Sequence, residues 1–130
     1  MKHRPVRFEP LLKATYFERP NRFLLRCRLP GKGIVNAFLP NPGRLWELLM
    51  PDAVVYLTPA PDTPAGAARR TRYTAVAIER DGEPVFLHTH ATNQVARYLI
   101  ERRMVPSLEG AEIVRSEVTV GRSRFDLLLR

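Results

Sequence analysis

The 130-residue sequence predicts a mainly β fold with an α+β tail: a small closed or nearly closed β-barrel, then a shorter unit of one helix and two strands. Two observations point there. Between residues 10 and 88, short β-type runs follow one another with turn residues between them; after His90 the apolar period lengthens to that of an amphipathic helix. The length and an apolar content of 45% allow one ordinary domain, or a small domain plus part of another.

Taken in order, residues 11–19, 22–29 and 34–39 read as strands, broken by Pro20-Asn21 and by Pro30-Gly31-Lys32-Gly33. In the second run Arg22, Arg26 and Arg28 share one parity, which predicts a basic strand face with Cys27 on the other side. A short helix is predicted next, capped by Asn41, with Pro42 in its first position, Leu45, Leu48 and Leu49 as its apolar stripe and Pro51 at its end. Residues 53–58 form another strand, and 58–71 read as a mobile loop leading to Arg69, Arg70 and Arg72. Two further strands flank Asp81-Gly82, a dipeptide suited to a tight hairpin turn. After His90, residues 91–104 predict a helix of about three turns, capped by Thr92 or Asn93. Residues 113–120 and 124–130 complete the chain as strands about Gly121. A helix and two strands bury little core alone, so this second unit reads as unfinished.

Composition narrows the function classes. The single cysteine, Cys27, cannot form an internal disulfide and has no second thiol for a zinc site. No apolar run approaches the roughly 20 residues of a membrane span, and the N-terminus has no signal-peptide core, so a soluble cytoplasmic protein is expected. The net charge is +8, with 10 basic and 4 acidic side chains in residues 1–58 and 11 against 9 in residues 59–130. The first half is therefore the better anion-binding candidate, and its Arg-rich composition suits phosphate.

Asp126 stands in the apolar run RFDLLLR, where both strand faces are largely apolar, so it is expected in a central strand and partly desolvated. A divalent metal such as Mg²⁺ would compensate such a carboxylate; an ion pair with Arg122 or Arg124 would also do so and is the commoner outcome. Glu117, one strand earlier, could face the same site or be a solvated strand residue. His88 and His90 have metal-compatible spacing but no recognisable third ligand. Asn41 to Arg44 could cradle a phosphate or merely position the leucines. Tyr16, Phe17, Phe23, Tyr56 and Tyr73 near the basic strand fit nucleic-acid stacking as a set, while any single one fits a barrel core better.

The stretches FLPNPGRLWELLMPDAVVYL, RYTAVAIE, TNQVARYLIE and VRSEVTVGRSRFDLLL together resemble the sugar fermentation stimulation protein (SfsA) family over nearly the whole chain. The specific parts are the PN-x-GR-L loop and the closing SEV-x-x-G-x-SRFD segment. The resemblance implies an N-terminal OB-fold that binds DNA, residues 1–88, and the start of a restriction-endonuclease-like, PD-(D/E)XK domain, residues 89–130. Asp126 would match the first metal-binding acid of that motif, and Glu117 falls within the matching segment. The second acid and the lysine, expected on a following strand, are absent from this sequence, which therefore reads as truncated and, as it stands, not a nuclease.

The expected activity is thus largely sequence-independent binding of single- or double-stranded DNA, without a required cofactor, through Arg22, Arg26, Arg28, Lys32, Asn41, Arg44, Arg69, Arg70 and Arg72. The alternatives are a Mg²⁺-dependent nuclease completed by further sequence or another chain, and a protein-interaction module. In the latter the unfinished second unit would pair with another copy as a homodimer.

Overall fold

The computed structural model describes residues 7–60 and 71–130. The chain forms two compact units, one spanning Phe8–His90 and the other made chiefly of Ala91–Arg130.

In the first unit β1 (Leu12–Asn21), β2 (Leu24–Leu29), β3 (Gly33–Phe38), β4 (Val54–Pro59) and β5 (Tyr73–Arg80) close a five-stranded barrel, and β6 (Glu83–Phe86) adds a hairpin to β5. Neighbours pair antiparallel except at one seam, where Ala37 and Phe38 run parallel to Tyr73 and Thr74 and join β3 to β5. Closure leaves none of the five strands with an open edge. The predicted alternation holds in β2: Leu25, Cys27 and Leu29 are buried, while Arg26 and Arg28 point outward. Leu39, Val55, Leu57, Ile78 and Leu87 fill the core beside the small Ala14, Ala37 and Ala75, each large aliphatic stabilising by about 1.5–3 kcal/mol. Asp81 and Gly82 have φ of 53° and 79°, as the predicted hairpin turn requires.

Three local expectations are corrected. β1 continues through Pro20 to Asn21, and the turn falls at Arg22-Phe23, where the Phe23 N–H donates to Asn21 Oδ1 at 3.0 Å. Pro20 is tolerated because the β1–β2 ladder is already interrupted between Glu18 and Asn21. Arg22 consequently sits in a turn rather than on the basic strand face. Residues 42–50 form no helix; Leu48 and Leu49 donate to the Leu45 carbonyl at 3.0 and 2.9 Å in a single turn. Leu45 has φ of 57°, and the carbonyls of Asn41, Gly43 and Arg44 accept from the Arg19 guanidinium, so the donors and acceptors of a helical ladder are diverted. Leu45, Leu48 and Leu49 still pack against the core. The strand expected after Pro84 ends at Phe86, and Thr89–Ala91 forms a 3-10 turn.

In the second unit α1 (Thr92–Glu101) begins from that turn, so Ala91 occupies the N-cap position and no side chain caps the helix, contrary to the expected Thr92 or Asn93. β7 (Ile113–Val120) and β8 (Ser123–Leu129) form a hairpin about Gly121. Among the described residues this sheet has only these two strands. With no neighbour to cover it, Asp126 is exposed, correcting the expectation of a desolvated site in a central strand; Phe125 and Leu128 are exposed as well. No described helix is long and apolar enough to cross a membrane.

Candidate nucleic-acid interface

The cations expected on phosphate fall into three groups on the barrel. On the outer β1–β2 face the guanidiniums of Arg26 and Arg28 lie 5.8 and 5.9 Å from the Phe17 ring centroid. Their cross-strand partners on β3 are Asn36 and Ile34. Arg26 is ion-paired with Glu18, so much of its charge is already satisfied. No described acid pairs with Arg28.

Asn36 also borders the second group, a recess of about 290 Å³ lined by Lys32, Arg72 and Tyr73. Lys32 belongs to the β2–β3 turn; Arg72 immediately precedes β5, where its carbonyl accepts the Ala60 N–H at 2.8 Å. Arg69 and Arg70, placed on the same connection, lie outside the described residues.

The third group is a cleft of about 700 Å³ between the β1–β2 turn and residues 41–49, lined by Tyr16, Arg19, Arg22, Gly43, Arg44 and Trp46 among others. Its frame is Arg19. One Nη donates to the Gly43 and Arg44 carbonyls at 2.7 and 2.8 Å; the other donates to those of Arg22 and Asn41 at 2.7 and 3.2 Å. Desolvation lowers the Arg19 pKa, yet an arginine with four carbonyl partners remains charged. The Asn41 side chain, expected on phosphate, is engaged within the loop. Its Oδ1 accepts the Gly43 N–H at 2.9 Å, and its Nδ2 donates to the Leu87 carbonyl at 3.2 Å. A Cβ at Gly43 would lie 3.0 Å from Asn41 Oδ1, so a larger residue here would need that side chain to shift by a few tenths of an ångström. On this frame the Arg44 guanidinium sits 5.1 Å from the centroid of Trp46, which is 72% exposed. Arg22 and Arg44 thus meet in one cleft although they are far apart in the sequence. Arg19 and Trp46 were not foreseen as site residues. A lone Trp in a Pro-Gly loop was the available signal; Arg19, between Glu18 and Pro20, carries none.

The other expected chemistry is not assembled. Glu117 has φ of 57° and lies between Ser116 and Val118, which pair with Leu127 and Phe125, so it stands opposite Asp126 in the hairpin. Its carboxylate is ion-paired with Arg124, the partner considered for Asp126. Among the described residues no cluster of three or more His, Cys, Asp or Glu could hold a metal ion. His88 and His90 lie ring to ring at 5.9 Å, His88 also packing on Phe8 and Phe86, and burial lowers the His88 pKa. Cys27 is buried and its pKa is pushed up to about 12, which makes it unreactive.

Comparison with known proteins agrees with this architecture. Residues 17–87, more than half of the chain, match the family model described as the SfsA N-terminal OB domain. A sugar fermentation stimulation protein homolog of Shouchella clausii is 37% identical over 126 residues, covering 95% of this chain and 53% of its own length. The Moorella thermoacetica homolog is 37% identical over 120 residues, covering 92% and 50%. A solved structure, described as Pyrococcus furiosus SfsA in complex with Ca²⁺, superposes with a TM-score of 0.70 at 32% identity, over 99% of this chain and 52% of that one. The chain thus spans about half the length of the relatives it matches. With the barrel, the matched residues and these relatives in agreement, the chain belongs to the SfsA family and its barrel is that family's N-terminal OB domain.

Proposed function

We propose that the barrel binds DNA through its phosphates, largely without regard to sequence. The observation that carries this reading is the set Arg22, Arg28, Lys32, Arg44 and Arg72: none is ion-paired with a described acid, and each group lies beside an exposed or half-buried aromatic ring. Oligonucleotides bind OB-folds on the β2–β3 face and the β1–β2 and β4–β5 loops, the regions that carry Arg28, Arg22 and Arg72 here. Phosphate contacts position a strand without reading its bases.

Fluorescence anisotropy of labelled DNA over a salt series tests this. Five neutralised phosphates give a slope of log K against log salt of roughly −4 to −5 on duplex and about −3.5 on single strands. Absence of binding at low salt, or an affinity indifferent to salt, would refute it. A divalent cation does not fit the described residues: Asp126 is a single exposed carboxylate and Glu117 is held by Arg124.

A further inference from the structure

We infer that the cleft framed by Arg19 receives one unpaired nucleotide, its base stacked on Trp46 and its flanking phosphates on Arg22 and Arg44, so that the domain prefers single-stranded to duplex DNA. The inference rests on the DNA-binding reading and adds the kind of DNA.

Four observations converge on it. The volume of about 700 Å³ lies within the range of small-molecule sites and suits a single nucleotide. Trp46 lines this cleft with 72% of its surface open, an unusual position for the largest apolar side chain. Arg44 lies over the indole and places a cation beside the stacking surface, where the phosphate of a stacked nucleotide would need one. The loop is held before any ligand arrives: Arg19 occupies the carbonyls of Arg22, Asn41, Gly43 and Arg44, so little ordering remains to oppose binding.

The electrostatics agree. No acid lines the cleft, and Glu47, the only acid in residues 41–49, is turned to Arg80 at 3.0 Å. Discrimination follows from stacking geometry. A base within a duplex has both faces covered by its neighbours and must be unstacked to offer one to Trp46, at a cost of a few kcal/mol. An unpaired base offers its face directly.

Trp46 is the only tryptophan, so the intrinsic fluorescence of the full chain reports on this cleft. Titration with a thymine oligomer of about eight nucleotides, within the site size of one OB-fold, should quench that emission; a blunt duplex should bind by anisotropy without comparable quenching. Trp46→Ala should weaken single-strand binding roughly 5- to 150-fold, the equivalent of one lost stacked base, and weaken duplex binding by clearly less. Trp46→Phe should recover part of the loss. The exposed side chain supports no core, so both variants should fold. Binding of the oligomer without quenching, or equal affinity for both DNA forms, overturns the inference and leaves the phosphate-binding reading standing. Failure of the unaltered protein to bind either form at low salt overturns both.

Discussion

Replacement of Arg19 by alanine removes the four charge-assisted hydrogen bonds that tie the β1–β2 turn to residues 41–44. Bonds to a charged group contribute about 1.5–3 kcal/mol each when taken singly. Here two Nη atoms serve four acceptors, and the carbonyls at this surface regain water when the side chain is lost. The combined loss is therefore well below the sum, about 2–4 kcal/mol. With a urea m-value of about 1–1.5 kcal/mol/M for a small domain, the midpoint should fall by roughly 1.3–4 M. Far-UV circular dichroism follows the barrel directly in such a titration. Arg19→Lys should recover only part of the loss, because a single ammonium cannot span the acceptors that a planar fork reaches. A midpoint within about 0.3 M of the unaltered protein would show that the loop holds its shape without Arg19, and the argument for a preformed cleft would fail with it.

Two further substitutions test the electrostatics of β2. Arg28→Ala should reduce the duplex salt slope by about 0.9, and Arg26→Ala by clearly less because Glu18 already neutralises it; equal changes would refute that distinction. Burial holds the Cys27 thiol at about 12 against the usual 9.0, so the native state binds more protons than the unfolded chain between those values. Stability should accordingly fall as pH rises through that window, by at most ~1.4 kcal/mol per pH unit. Cys27→Ala should flatten this fall in urea titrations at about pH 8 and about pH 10, and parallel curves for the two proteins would count against it.

The barrel was legible because its information is local: alternation places Leu25, Cys27 and Leu29 inward and Arg26 and Arg28 outward, and Asp81-Gly82 dictates its own turn. Residues 42–50 were misread for a related reason. Asn41, Pro42 and the leucine spacing are sound helix signals, but Arg19, more than twenty positions away, claims the carbonyls, and Leu45 adopts a left-handed conformation. The same remoteness hid the cleft, which exists only once β1 brings Arg19 to that loop. Arg22 was assigned to a strand because Pro20 was read as a break, whereas an interrupted ladder accommodates it. The apolar character of both faces of its run points to a partly desolvated Asp126, but that pattern describes what β8 can bury rather than what covers it in this two-stranded sheet.

β1 carries a further constraint, on how this sequence can drift. It pairs with β2 on one side and β4 on the other, and within four residues it supplies Tyr16 to the cleft wall, Phe17 beneath two arginines, Glu18 to Arg26 and Arg19 to the loop. The β1–β2 register shifts between Tyr16 and Glu18, so the successive residues Phe17 and Glu18 both reach Arg26, which strict alternation would not allow. The irregular ladder is therefore part of the arrangement: straightening it by one residue would part Phe17 or Glu18 from the arginines they meet and turn Arg19 away from the loop.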